Sequence, residues 1–314
     1  MAAKVLSTEE YFRKGGTPET IISFLSRNGP ANCFMLGNLR NMGFETGKKQ
    51  ELLLAVDGKD GGAVPGITAV LMAHFTNALL YFPSTSTGSA ADSPALPLLP
   101  RLLSWIRSGR VNRINGLASC MDDAADYLRS ADEGIGIRKR RMQLAVYESD
   151  LPRPPLQPEG EPAPLPEGVY LEKAEGPEWE LLDRIMDEKE HIEEFVTSPG
   201  ARETFRNSHL HGGARSLALV NSQGRVLAAA SSTAENPSTA MIVGVFTVEG
   251  CRNRGYSRRL MDLLIESLKQ DSLMPVLFYE NPVAEKIYKG MGFQDREDYD
   301  LLHFQLDEAQ DSPA

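Results

Sequence analysis

Seven of the chain's twenty prolines fall in one stretch, PRPPLQPEGEPAPLP from Pro152 to Pro166. Proline fixes φ and lacks a backbone N–H, so neither a helix nor an inner strand can pass through such a run. It reads as a stiff, extended connector. At about 150 residues per domain, 314 residues suit two domains with a seam between them. Charge changes at the same place. Residues 1–150 carry 17 basic and 15 acidic side chains, and the remainder carries 16 and 28. The expected division is therefore 1–150, a linker at 151–166, and 167–314.

The overall balance of −10 argues against nucleic acid as the main partner, since phosphate backbones need a basic surface. No apolar run approaches the 18 or so residues of a membrane span, and MAAKVLSTEEYFRKGG lacks the apolar core of a secretion signal. Cys33, Cys120 and Cys251 are odd in number and far apart, so they form neither a disulfide framework nor a CxxC metal pair. The expectation is a cytoplasmic protein with no metal, no nucleic-acid partner and no membrane partner.

After the prolines the pattern alternates. VYLEKA reads as a strand, and helices follow from Pro177 toward Glu190 and from Arg202 to His209. Strand-like runs start at Ser216, Arg225 and Met241, the first two joined by the hairpin signal Gln223-Gly224. Leu260, Leu263, Leu264 and Leu268 then mark one stripe of a helix. The strand PVLFY, a helix opened by Asn281-Pro282 and a last strand in DYDLLHFQL complete a mixed α+β sheet. The first half repeats this order more faintly, which suggests a diverged duplication.

The chemistry concentrates between Val243 and Phe293. The loop Glu249-Gly250-Cys251-Arg252-Asn253-Arg254-Gly255-Tyr256-Ser257-Arg258-Arg259 follows an apolar strand and leads into the Leu-striped helix. Strand, glycine loop and helix N-terminus form the geometry that binds phosphate: free N–H groups and the helix dipole favour an anion. Arginines at a helix start oppose that dipole, so a purely structural cluster here carries an electrostatic cost.

Arg252-x-x-Gly255-x-Ser257 resembles the R/Q-x-x-G-x-G/A signature of the GCN5-related N-acetyltransferases (GNAT). Asn281-Pro282-Val283-Ala284-Glu285-Lys286-Ile287-Tyr288-Lys289-Gly290-Met291-Gly292-Phe293 resembles that superfamily's N-x-x-A-x-x-x-Y-x-x-x-G-F segment. Ser257 departs from the preferred Gly or Ala. The pairing covers about Tyr170 to Leu306. It implies two GNAT-like domains, each a mixed, mostly antiparallel central sheet flanked by helices, the first degenerate.

The resemblance further implies transfer of acetyl from acetyl-coenzyme A to a small-molecule or peptide amine. Backbone groups at Phe246, Thr247 and Val248 would pair with the pantetheine arm, and an N–H near Phe246 would stabilise the oxyanion. Amides of Arg252, Asn253, Arg254, Gly255, Tyr256 and Ser257 would hold the pyrophosphate, and Asn281 would reach the pantetheine. Tyr288 would protonate the leaving thiolate. Tyr288 also shares a stripe with Ala284 and Met291, the pattern of a core residue, and Asn281 is equally a helix cap. Glu235 is the general-base candidate by topology, with Glu193, Glu194, His209 and His211 near the acceptor side.

The first half has Ser84–Asp92 where the arginine loop would be, so its expected role is structural, acceptor-shaping or dimerising, with a homodimer possible. Arg138-Lys139-Arg140-Arg141 reads as a strand edge guarded by charge. The alternative functions are a non-catalytic acyl-coenzyme A sensor and a tandem enzyme of the mycothiol-synthase type.

Overall fold

The computed structural model describes residues 3–44, 46–47, 49–57, 64–83, 93–148, 164–192 and 201–306. Most of the proline-rich segment, the stretch Ser84–Asp92, and Glu193 and Glu194 lie outside the described residues.

In chain order the first half gives β1 (Lys4–Ser7), α1 (Thr8–Arg13), α2 (Pro18–Ser26), α3 (Cys33–Met42), β2 (Gln50–Val56), β3 (Ile67–His74), β4 (Asn77–Tyr81), α4 (Leu99–Arg107), β5 (Arg113–Leu117), α5 (Ala118–Ala131) and β6 (Ile135–Tyr147). The second gives β7 (Val169–Ala174), α6 (Trp179–Glu190), α7 (Ala201–Leu210), β8 (Ser216–Asn221), β9 (Val226–Thr233), β10 (Thr239–Thr247), α8 (Tyr256–Gln270), β11 (Met274–Tyr279), α9 (Pro282–Lys289) and β12 (Phe293–Leu306). Local signals set these limits. Thr17 and Asn281 cap α2 and α9 with their side chains, each followed by proline at the first helical position.

Two compact units form, and neither is one continuous stretch. Unit 1 takes Met1–Met35, Met42–Leu144 and Arg296–Ala314, and unit 2 takes Leu36–Asn41 and Ala145–Asp295. A cut at the prolines would therefore leave unit 2 without Leu36–Asn41 and Ala145–Tyr147, and unit 1 without its last strand.

In unit 1, β1 to β4 are antiparallel neighbours, β5 lies parallel to β4, and β12 pairs antiparallel with β5. Its core sets Leu52, Leu54, Leu71, Leu79 and Leu80 beside the fully buried rings of Tyr11 and Tyr299. The basic run at 138–141 has a defined task here. Lys139 and Arg141 hold the fully buried Asp300 at 2.6 and 2.8 Å. Burial alone would raise the pKa of that carboxyl, but the hydrogen bonds from Arg141 and Lys139 prevail and lower it.

In unit 2, β7, β8, β9 and β10 are antiparallel neighbours and β11 lies parallel to β10. One face packs under α8, through Leu260, Leu264 and Leu268. The other packs under α6, through Leu181, Leu182 and Ile185. The sheet is buried on both sides, which accounts for the near-continuous apolar reading of β8 and β9. No described helix is long and apolar enough to cross a membrane.

Candidate active site

Strand β10 is regular at its start and broken in its middle. It pairs with β11 only through Thr239, Ala240 and Met241, and its register with β9 shifts between Val243 and Phe246. Gly244 occupies this bulge with φ +61°, a conformation that costs glycine little. Beyond it, β10 runs on without β11. The free end of β10, with α8 and α9, bounds a cleft of about 720 Å³ lined on β10 by Val245, Phe246 and Thr247.

Register decides which backbone groups face the cleft. The Val248 N–H donates to the Leu227 carbonyl at 2.9 Å, so Val248 and Leu227 form a hydrogen-bonded pair. Antiparallel pairs alternate, so Thr247, opposite Ala228, turns its N–H and C=O away from β9. Phe246, opposite Ala229, turns its own toward β9. The Val248 carbonyl also accepts from the Cys251 N–H at 2.9 Å. Val248, expected to contact pantetheine, thus has both backbone groups engaged and does not line the cleft. Thr247 is the residue turned toward the cleft, its N–H open among the described residues and its carbonyl accepting from Arg252 Nε at 3.4 Å.

The loop ends in a helix start with no cap of its own. Gly255 is the N-cap of α8 at φ +75°, with no side-chain cap bond and no acidic residue in the first turn. Asn253 is also left-handed at φ +62°. The first backbone bond of the helix runs from the Arg259 N–H to the Gly255 carbonyl at 3.0 Å. The N–H groups of Tyr256, Ser257 and Arg258 have no backbone acceptor among the described residues. Such orphan donors, with the dipole behind them, form an anion site. A Cβ at Gly255 would meet open space, so the glycine is required by its φ rather than by crowding. Ser257 is more than a tolerated substitute, because its hydroxyl hydrogen-bonds the Thr247 hydroxyl and ties α8 to β10.

Helix α9 forms the opposite wall. Asn281 lines the cleft while its Oδ1 accepts from the Val283 N–H at 2.8 Å, so it caps the helix and keeps its amide NH₂ for another partner. Tyr288 packs edge-on to Phe293, 5.9 Å between centroids, and its ring joins the apolar core. Its hydroxyl has no hydrogen-bond partner among the described residues. Burial raises its pKa, so it holds its proton at neutral pH and can act only as an acid there. Tyr279, 5.9 Å away, differs: its hydroxyl donates to Asp295 at 2.5 Å.

Glu235 is not brought to the cleft. It lies in the turn before β10, whereas the loop follows the strand's far end, roughly 25–30 Å away at about 3.3 Å per residue. Arg215 grips both its oxygens at 2.9 and 2.7 Å, Ser232 donates to one of them, and Arg40 binds its carbonyl at 2.9 Å. It is not placed to serve as a base at this cleft. His209 is also structural, buried between the Phe205 carbonyl at 2.9 Å and the Ser216 hydroxyl at 3.0 Å. His211 is exposed, and neither it nor Arg254 lines the cleft. Sequence reasoning missed Val245, Met261, Val283, Lys286 and Ile287, which do. The last three repeat at i, i+3 and i+4, a signal that was available. Among the described residues no cluster of His, Cys, Asp and Glu is placed to hold a metal ion.

The family model for the acetyltransferase (GNAT) family matches residues 179–293, from the start of α6 to the start of β12. Residues 179–293 are a GNAT-family domain. The chain is similar in fold to a tandem GNAT protein from the clavulanic acid biosynthesis pathway, at 15% identity over 99% of this chain and 100% of that one, with a TM-score of 0.58. A GCN5-related N-acetyltransferase from Sphaerobacter thermophilus matches at 16% identity over 96% and 95%, with a TM-score of 0.54. A Drosophila protein matches at 11% over 96% and 98%, with a TM-score of 0.63. At such identities the likeness is one of fold. No curated protein matches the sequence. The GNAT domain thus contains the bulged strand, the arginine loop and the tyrosine helix described above.

Proposed function

We propose that the chain is an N-acetyltransferase that moves acetyl from acetyl-coenzyme A to an amine by direct attack. The observation that carries this reading is a helix start with three acceptor-less amides, opening into a cleft whose far wall bears a tyrosine hydroxyl without a partner. The residues fit a pyrophosphate: orphan donors, no acidic side chain in the first turn, and Arg252 and Arg258 on the same cleft. Acetyl-coenzyme A supplies an acyl thioester, already activated for attack.

The chain's own groups would do the rest. The open amides of Tyr256, Ser257 and Arg258 hold the pyrophosphate, and the outward N–H of Thr247 pairs with the pantetheine arm as an added strand does. An N–H of the bulge, at Gly244 or Val245, would stabilise the charge that develops on the thioester oxygen, since the Phe246 N–H turns toward β9. Asn281 steadies the arm with its free NH₂. Tyr288 passes its proton to the departing thiolate.

No Asp or Glu occurs among the described residues lining the cleft. That observation favours one second reading, a coenzyme-binding module without turnover. The test is thiol release from acetyl-coenzyme A across amine, amino-acid, polyamine and peptide libraries. Release that depends on an acceptor and falls in Tyr288→Phe supports the transferase. Coenzyme binding without release for any acceptor supports the module.

A further inference from the structure

Strand pairing lays one polar row across unit 1. Gln50 of β2 lies opposite His74 of β3, His74 opposite Asn77 of β4, Asn77 opposite Arg113 of β5, and Arg113 opposite His303 of β12. Directly paired residues share a face, so the five side chains stand on one side of the sheet, with Asn115 two residues further along β5. All belong to unit 1. Four of them keep a buried polar atom without a partner among the described residues: Gln50 Oε1, His74 Nδ1, Asn77 Oδ1 and Asn115 Oδ1. Gln50 is held by its other end, its Nε2 donating to the Gly43 carbonyl at 2.8 Å. Burial holds the pKa of His74 down at about 4, so its ring is neutral.

Positive charge collects at the other end of the row. Arg113 is half-buried and has neither a hydrogen bond nor an ion pair among the described residues. Burial lowers its pKa. Burial lowers that of His303 too, and the charges of Arg113, Arg138 and Arg140 push it lower still. Glu51, next to Gln50 in β2, points to the opposite face and is bound there by Arg101 and Arg110. Buried polar groups left unpaired in a fold hold water or a ligand. Water would satisfy the carbonyls but would not neutralise a desolvated guanidinium, and an anion would. At about 4.8 Å between strands, Asn77 lies one spacing from Arg113 and Gln50 about 14 Å from it. That is the span of a small molecule with an anionic group at one end and N–H or O–H donors along its body. We propose that this face of unit 1 binds a small phosphate or carboxylate bearing hydroxyl or amino donors, its anion on Arg113 and its donors on Asn77, Asn115 and Gln50. The site is separate from the coenzyme cleft and does not rest on the reading given above for that cleft.

Calorimetry on the full chain with glucose 6-phosphate, glutamate and glucose tests this, the first two probes separating a phosphate from a carboxylate. One charged probe is expected to bind about tenfold tighter than glucose, the scale of a charge-assisted contact in a half-buried site. Arg113→Met should erase that preference, and Arg113→Lys should retain part of it. Asn77→Leu replaces an unpaired amide by an apolar group of similar shape. It should weaken the bound probe roughly three- to tenfold and leave the ligand-free melting temperature level or higher. Coenzyme A affinity should not change in any of these variants. Failure of both charged probes to bind better than glucose, or a preference that survives Arg113→Met, overturns the assignment. So does an Asn77→Leu variant with wild-type affinity and a lowered melting temperature, the mark of an amide that holds buried water for the fold. A matching loss of coenzyme A affinity would put the probe in the cleft and overturn it as well.

Discussion

The two units share a strand plan and differ where a ligand would enter. Each has antiparallel strands followed by a parallel pair with a helix between: β4, α4, β5 in unit 1 and β10, α8, β11 in unit 2. In unit 1 the β3–β4 register runs unbroken from Val70–Tyr81 to His74–Asn77. Beyond its three parallel pairs β5 still lies against β4, where a Cβ on Gly116 would stand 2.5 Å from the Leu80 carbonyl. In unit 2 the bulge at Gly244 breaks the register and β10 leaves β11. The helix starts differ as well. Before α4 the N–H groups of Leu98, Leu99, Arg101 and Leu102 donate to carbonyls of the preceding turn, and Pro100 has none to offer. At α8 the equivalent donors are left open. One bulge and one uncapped helix start therefore separate a sealed sheet from a cleft.

The largest effect should come from closing the anion site. Gly255→Asp places a carboxylate in the phosphate cradle, and one like charge at ~4 Å in a half-solvated site costs about 4 kcal/mol, or ~10³-fold in affinity. Titration with coenzyme A should show near-complete loss of binding. Residual binding at wild-type strength would mean that the ligand sits elsewhere, unit 1 included.

Glu235→Ala should separate stability from binding within unit 2. Removing one partner of a buried ion pair costs about 3 kcal/mol, while coenzyme affinity should stay within twofold. Chemical denaturation and calorimetry on the same sample check both halves. A large loss of affinity would return Glu235 to the functional site.

Tyr288→Phe keeps the ring and removes only the proton. Turnover should fall about 10²-fold with affinity and melting temperature unchanged. An unchanged rate would reduce the residue to its packing against Phe293.

Gly116→Ala probes the sealed pair in unit 1. The added Cβ meets the Leu80 carbonyl at 2.5 Å and the Met121 methyl at 3.0 Å, so backbone must move, at a cost of about 2 kcal/mol. Stability should drop while coenzyme binding does not change. A variant as stable as wild type would show that β4 and β5 can part after all.

The smallest effect concerns pH and involves one imidazole in each unit. Burial lowers the pKa of His74 to about 4, and burial likewise lowers that of His209 against the opposing pull of its bond to Phe205. A depressed imidazole binds its proton in the unfolded chain first, so stability is full above about 6.5 and declines as pH falls through that value. Each such group removes at most about 1.4 kcal/mol per pH unit. Melts at pH 7.5 and 5.5 should differ accordingly, and less so in His74→Leu. A pH-independent melt would contradict the buried neutral state.

The sequence by itself was enough for the elements of unit 2 and for the arginine loop that opens α8, because those depend on neighbours in the chain. The Leu stripe of α8, the Asn281-Pro282 start of α9 and Gly255 at positive φ are local requirements, legible from spacing and residue type. Tyr288 was legible for the same reason, as part of a helix segment with a fixed stripe. What pairs across the chain was not. That Val248 turns its backbone to β9 while Thr247 faces the cleft follows from a register shift at Gly244, and a one-residue slip reverses every such assignment. That Glu235 is held by Arg215 rather than by a substrate depends on two turns some twenty residues apart meeting in space. The unit boundaries belong to the same class: Leu36–Asn41 and Ala145–Tyr147 join unit 2 through contacts at sequence separations no local pattern encodes.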